Sequence, residues 1–473
     1  MSTGTPVNDR RRWRRAVWGL CALVTSATAD QRPIRSAAEL SHAMDSATPG
    51  TTLLIAPGNY RFQRLETRTA GTAEAPIVVR AAIPGTVTLQ ATGVVLFWVR
   101  HAYWTFKDLI IQGTDQTDHA FHIVGEASHV TLTGNVIRDF HAAIKINGTP
   151  GNHYPDNGLI EGNDLYNRSA RATNEPVTFI DLVAGSGWIV RDNYLADFAK
   201  NGGDFTSYGL FMKGNSDHGL IERNLVICAR DVPTRGTRVG LSLGGGGTGT
   251  PYCRHQNCAL EHRAGVIRNN IVLNCSDVGI YLNRASQTLV VHNTLLMTTG
   301  MDVRFPTSSA TVINNVLTGS VRERDGGSVQ ARDNLSFGST YGMWMPTITQ
   351  KLQHRISDYD SKYPSWVSRA QVLAWQTRLE VATRWISEQS AGLGQAQTLT
   401  CFPGLAAEDL TPSELGCEGL SGAQPLVGED FWGHPRTQGL SDRGAIDFHA
   451  SRGNVLARLQ RFAPDAPLTE GAR

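Results

Sequence analysis

The feature that most restricts this chain is an asparagine that keeps returning behind a short apolar stretch. It closes Val130-Thr-Leu-Thr-Gly-Asn135, Leu159-Ile-Glu-Gly-Asn163, Trp188-Ile-Val-Arg-Asp-Asn193 and Leu220-Ile-Glu-Arg-Asn224. It closes Val266-Ile-Arg-Asn-Asn270, Leu289-Val-Val-His-Asn293, Val312-Ile-Asn-Asn315 and Val329-Gln-Ala-Arg-Asp-Asn334 as well. Successive asparagines are 28, 30, 31, 46, 23, 22 and 19 residues apart. A self-similar period in the twenties marks a solenoid, in which each repeat buries its apolar side against the next.

Leucine-rich repeats share these periods but need a leucine-dense consensus and a helix in each repeat. Here each repeat offers short β-branched strands and Gly/Asn/Asp turns with no helical periodicity. Asparagine at a corner tolerates the left-handed turn conformation, and stacked side-chain amides can hydrogen-bond from coil to coil. The sequence therefore predicts an all-β, single-stranded right-handed parallel β-helix with coils stacked at ~4.8 Å.

The flanks follow from that core. Residues 30–345 are read as the solenoid, with a helix over Ala37–Ala47 capping its first coil. Residues 346–473 are read as an extension packed on the solenoid, helical over Ser361–Gln389 and loop-rich after it. Arg10, Arg11, Arg12, Arg14 and Arg15 precede an apolar run from Ala16 to Val24 and then Ala27-Thr-Ala29, so residues 1–29 are read as a signal peptide. The run is too short to span a bilayer. A secreted or periplasmic protein is expected, and its cysteines are then read as disulfides. Outside the leader these are Cys228, Cys253, Cys258, Cys275, Cys401 and Cys417, with Cys253–Cys258 and Cys401–Cys417 as short-loop pairs and Cys228 and Cys275 in neighbouring repeats. No Cys-x-x-Cys is present to hold zinc. A formal net charge of only +2 provides no global field for nucleic acid. A monomer is expected.

The strand after each corner places the chemistry. Strict alternation turns Ile144, Ile180, Leu210, Leu241, Ile280 and Val303 inward, together with Ile146, Leu182, Met212, Leu243, Leu282 and Phe305. Two columns then face outward. One is Lys145, Asp181, Phe211, Ser242, Tyr281 and Arg304; the other is Asn147, Val183, Lys213, Gly244, Asn283 and Pro306. A polymer lying along the axis would meet Lys145, Asn147, Tyr281, Asn283, Arg284 and Arg304 as binding residues. The 46-residue step inserts Gly244–His262 beside this face, carrying a Gly-rich run, Arg254, His255 and His262. No Lys-Ser pair follows the run, so it is no P-loop.

Leu53-Leu-Ile-Ala-Pro-Gly-Asn-Tyr60, Gly71-Thr-Ala-Glu-Ala-Pro-Ile-Val-Val-Arg80 and Tyr103-Trp-Thr-Phe-Lys-Asp-Leu-Ile-Ile111 resemble the opening of the chondroitinase-B and alginate-lyase superfamily. The tail, Asp430-Phe-Trp-Gly-His-Pro-Arg436 to Gly444-Ala-Ile-Asp-Phe448, is similar to the C-terminal segments of bacterial β-helix proteins. The resemblance covers most of residues 33–340 and is more specific for fold than for activity.

What it implies is a polysaccharide lyase acting by β-elimination, with an acidic polysaccharide as its partner. Phe211-Met-Lys213-Gly-Asn215 followed by Arg238 resembles the family's lysine base and the arginine one coil later that neutralises the uronate carboxylate. Arg235, Arg284 and Arg304 compete for the arginine role. His218 is a candidate acid, with His141, His255 and His262 behind it. Two departures stand out. The acidic residue usual a few positions before the lysine is missing from Ser207–Met212, and only Asp181 and Asp204 offer themselves for a calcium site.

The rival readings are a β-helix hydrolase, a C5-epimerase and a non-catalytic carbohydrate-binding or surface protein. Against the first, no adjacent Asp-Asp or Gly-His-Gly is present; against the second, no Asp-Pro-His.

Overall fold

The computed structural model describes residues 30–232 and 236–336 and, in the tail, 427–431, 433, 435, 436, 444 and 445. The leader, the helix expected over Ser361–Gln389, Arg235, Cys401 and Cys417 lie outside the described residues. Among the described residues, no helix is long and apolar enough to cross a membrane.

The chain is a parallel β-helix. One coil shows the plan: Leu159–Glu161 lies in the first sheet, Asn163 turns the corner, Asp164–Tyr166 lies in the second sheet, and Val177–Val183 lies in the third. Among the described residues, repetition builds sheets of 12, 11 and 10 strands. A small three-stranded sheet, Ser216–Asp217, His262–Arg263 and Ala285–Ser286, closes the gap between the third sheet and the first.

Like sits on like inside. Ile144, Ile180, Leu210, Leu241 and Ile280 stack in register and are fully buried. Nearer the start, Phe97 stacks on Phe121 at 4.9 Å. At the first coil the helix Ala37–Asp45 buries Leu40, Ala43 and Met44; its N-cap Ser36 accepts from the Glu39 amide. This covers the end of a core that would otherwise face water.

All eight asparagines form one buried ladder. From Asn135 to Asn334 each Nδ2 donates to the Oδ1 of the next, at 2.9–3.1 Å. The same Oδ1 also accepts the backbone N–H of the preceding asparagine, as Asn224 Oδ1 does from Asn193. The left-handed conformation, however, belongs to the residue before each asparagine: Gly134, Gly162, Asp192, Arg223, Asn269, His292, Asn314 and Asp333. Asparagine is required for its amide, and the turn bends one residue earlier.

Among the described residues two disulfides are present, Cys228–Cys275 between neighbouring coils and Cys253–Cys258 within the long loop. The described tail residues dock on the second sheet, where Phe431 and Ala445 join Tyr194, Leu225 and Leu296. Arg436 donates to Asn269 Oδ1 at 2.8 Å and to the carbonyls of Gly444 and Ala445.

Two features of the third sheet correct the strict alternation. In Gly300–Arg304, Asp302 lies opposite Tyr281 and Arg304 opposite Asn283, so Arg304 falls in the second outward column, two residues from its expected register. Phe305 is not in the core. It takes φ 77° and lies under the guanidinium groups of Arg284 and Arg304, at 4.8 and 4.6 Å. The second feature is a bulge repeated along the sheet. Ala120 and Phe121 both point inward and both donate to Ala143 O; Phe179–Ile180, Gly209–Leu210 and Gly240–Leu241 repeat the buried pair. Two inward residues in a row reverse the parity of everything upstream.

Candidate functional site

Beyond the bulge, the expected outward ribbon is present. Trp98, His122, Lys145, Asp181, Phe211, Ser242, Tyr281 and Asp302 stand in successive register on the third sheet. The adjacent column carries Asn147, Val183 and Lys213, and further on Asn283 and Arg304.

At its centre three charges meet. Lys145 Nζ donates to Asp181 Oδ2 at 2.5 Å. Lys213 reaches the same neighbourhood from the next column. Its Nζ donates to Gly246 O at 3.1 Å and lies 4.3 Å from the centroid of the Phe211 ring. Burial is the main influence on this amine and pulls its pKa below the ordinary lysine value; the Asp181 charge opposes that, Lys145 adds to it, and Glu261 opposes it.

Toward the start of the helix, His122 Nε2–H donates to Asn147 Oδ1 at 2.7 Å, and Asn147 Nδ2 donates to Gly148 O. Burial holds His122 neutral, its pKa pushed down to about 4 although the Asn147 bond works the other way. Its ring lies 4.7 Å from Trp98 and 5.2 Å from His119. At the other end the Tyr281 hydroxyl accepts from Asn283 Nδ2 and Arg304 Nη1, both at 3.2 Å. Arg304 also pairs with Asp325 at 2.5 Å.

Gly244–His262 walls one side of the ribbon. Gly244, Gly246 and Gly247 all take positive φ, and a side chain on Gly244 would meet Asn283 O at 1.8 Å. Glycine is therefore needed where the chain folds back over Lys213. Further along, Arg254 N donates to Gly214 O at 2.8 Å and its Nε to Ala184 O at 3.0 Å, while its guanidinium pairs with Asp156 and lies 4.2 Å from the Tyr154 ring centroid.

Several expected residues are elsewhere. Arg238 is buried at 3% exposure and donates to Cys228 O, because the Gly240–Leu241 bulge turns it to the opposite side from Val239; it cannot neutralise a substrate from there. His218 lies past the small sheet in a turn with φ 53°, its exposed ring 3.3 Å from Asp217. Arg284 occupies a turn at the margin, over Phe305. Asp181 and Asp204 do not converge. Asp204 precedes its strand, seven residues before the Phe211 that faces Asp181, and pairs with Lys200 at 2.7 Å. Each carboxylate is paired with a lysine, and no group of three or more His, Cys, Asp or Glu side chains among the described residues is arranged for a metal. His262 is fully buried against Ser216, His141 is held by Asp118, and His255 is in an exposed left-handed turn.

Trp98, His119 and His122 are the residues that the sequence reading missed. Ala120-Phe-His-Ile-Val124 carries the same inward–outward pattern as Ala143-Ile-Lys-Ile-Asn147, one coil before the first segment that was aligned.

With this geometry in view, comparison with known proteins gives one family match. Residues 34–149 fit the chondroitinase B family model. The match includes the strand of Lys145 and Asn147 and ends before Asp181, Lys213 and Tyr281. No curated protein matches the sequence. Similar solved structures include the pectate lyase Pel9A, at 18% identity over 63% of this chain and 74% of that one, TM-score 0.45. Others are an alginate lyase from Paenibacillus sp. FPU-7, at 14% over 65% and 96%, TM-score 0.37, and a PL6 polysaccharide lyase from Pseudopedobacter saltans, at 14% over 64% and 92%, TM-score 0.34. All three are distant in sequence, and none bears on the choice of substrate.

Proposed function

We propose that this protein is a secreted polysaccharide lyase that cleaves a uronic-acid polymer by β-elimination, with Lys213 as the base. The observation that carries the reading is the partly desolvated Lys213 amine on an outward ribbon, with the Lys145 cation close by across Asp181. A base must be neutral to accept a proton, and burial favours that form. The C5–H bond breaks toward Lys213 Nζ, the electron pair forms the C4–C5 double bond, and the C4–O bond breaks with the leaving oxygen taking a proton from solvent water, to which Lys213 later returns the one it gained. Charge builds on the uronate carboxylate meanwhile, and with Arg238 turned inward the cation placed to meet it is Lys145. Asn147, Tyr281, Asn283 and Arg304 would hold neighbouring sugars. Disulfides between coils and within the loop support export to an oxidising compartment.

Alginate, pectate and glycosaminoglycans should be offered in turn and the ultraviolet absorbance of a newly formed unsaturated uronate followed. Lys213→Ala should lower kcat by about 10²–10⁴-fold on the polymer that reacts. Retention within a few-fold would end the assignment of the base. A second reading has one observation in its favour: Gly246 O and the Phe211 ring also suit a charged ammonium. On that reading the ribbon binds polysaccharide without chemistry, and no polymer yields the chromophore.

A further inference from the structure

Glu261 is 1% exposed, and among the described residues no ion pair joins it to a cation. A carboxylate buried in this way is costly and calls for an explanation. Its Oε2 accepts the N–H of Gly214, the residue after Lys213, at 2.8 Å. Its own backbone is tied on both sides, N–H to Arg284 O at 2.8 Å and carbonyl to Ser216 N at 3.2 Å. Its Cβ would lie 3.0 Å from a side chain placed on Gly244, so it packs against the base of the glycine arch whose Gly246 O accepts from the Lys213 amine.

We infer that Glu261 is the positioning residue for Lys213: it fixes the backbone behind the lysine while the arch that it supports fixes the amine. This rests on the reading of Lys213 as base. The carboxylate touches no substrate and acts only through the lysine. Asn215 strengthens the arrangement, donating through Nδ2 to Arg254 O at 3.1 Å, so the two residues that follow Lys213 are both fastened to the long loop. Three charged groups face the amine, Asp181 and Lys145 from neighbouring strands and Glu261 from the loop, and Glu261 is the one that belongs to no ion pair.

Two substitutions separate position from charge. Glu261→Ala removes the anchor, and kcat should fall about tenfold or more while KM stays within about twofold, since misplacing a reacting group affects turnover. Glu261→Gln keeps an oxygen for the Gly214 N–H and removes the charge. It should recover kcat, with the acid limb of kcat/KM moved to lower pH by about half a unit, because loss of a nearby anion favours the neutral amine. A parallel measurement needs no turnover: with lysines dimethylated by 13C-formaldehyde and the Lys213 resonance assigned through Lys213→Arg, its titration midpoint should fall in Glu261→Gln. An unchanged midpoint together with wild-type kcat in Glu261→Ala overturns the inference. Loss of the lyase reading alone, shown by an active Lys213→Ala, leaves the NMR result to decide whether Glu261 positions the lysine.

Discussion

At the scale of single residues, the asparagine ladder and the ribbon make different demands. Asn224 occupies the middle of the ladder: it accepts two bonds from Asn193 and donates to Val190 O and Asn270 Oδ1, all out of water. Asn224→Ala leaves two buried donors of Asn193 unpaired and should cost about 2–4 kcal/mol in denaturant unfolding. Asn334→Ala, at the half-buried last rung, should cost about 1 kcal/mol. An equal loss at both positions would mean that the ladder is not what holds the coils. On the ribbon, Lys145→Ala should reduce kcat/KM by about 10²-fold or more if this cation meets the carboxylate. The sequence could indicate Lys145, Asp181 and Lys213 because they lie downstream of the bulge, where alternation counted from the corner holds. Arg238 was expected from the family resemblance alone, and it lies upstream of the bulge, where its side chain turns inward. Two inward residues in succession, Gly240 and Leu241, leave no mark in an apolar pattern, and one such pair is enough to turn an arginine from the surface to the interior.

At the scale of elements, the repeat was legible because its period and polar corner are written out eight times. The register of Gly300–Arg304 was not, since a slip of two residues keeps the same faces inward and outward. The long loop showed itself only as a stretched interval; its grip on Lys213 depends on backbone carbonyls that composition does not reveal. Its two nearby disulfides should behave differently. Cys228–Cys275 spans 47 residues and Cys253–Cys258 spans 5, so chain entropy assigns about 4 kcal/mol to the first and about 2 to the second. Replacing Cys228 and Cys275 by serine should lower Tm more than replacing Cys253 and Cys258. The second pair of changes should instead weaken turnover, measured beside the melt, because it loosens the segment that holds Lys213.

At the scale of the whole molecule, acid is the expected weakness. His262 is pushed down to about 3 and His122 to about 4 by burial, and burial lowers His119 as well. Each binds its proton less readily in the folded chain than in the unfolded one, whose imidazoles titrate near 6.5. Their contribution is complete above that value and is lost as pH falls toward 4 and then 3. Tm should therefore drop steeply between pH 6.5 and 4, and His262→Gln should flatten the drop. An opposing influence comes from Asp197, raised to about 6 by burial, which favours the folded form at the acid end. A flat Tm across this window would show that these groups do not govern acid unfolding.

The wall over Lys213 has a wider meaning. It is an insertion between two strands whose flanking asparagines, Asn224 and Asn270, bond to each other at 3.0 Å across a gap of 46 residues. The rungs are indifferent to how much chain departs and returns between them, and each doubling of such an excursion costs only ~0.6 kcal/mol. A cylinder of this kind can exchange its flanking segments, and with them the polymer it grips, as a handle accepts new blades. Grafting another loop between Gly244 and His262 should lower the melt by little more than the loss of the Cys253–Cys258 closure while it redraws the groove.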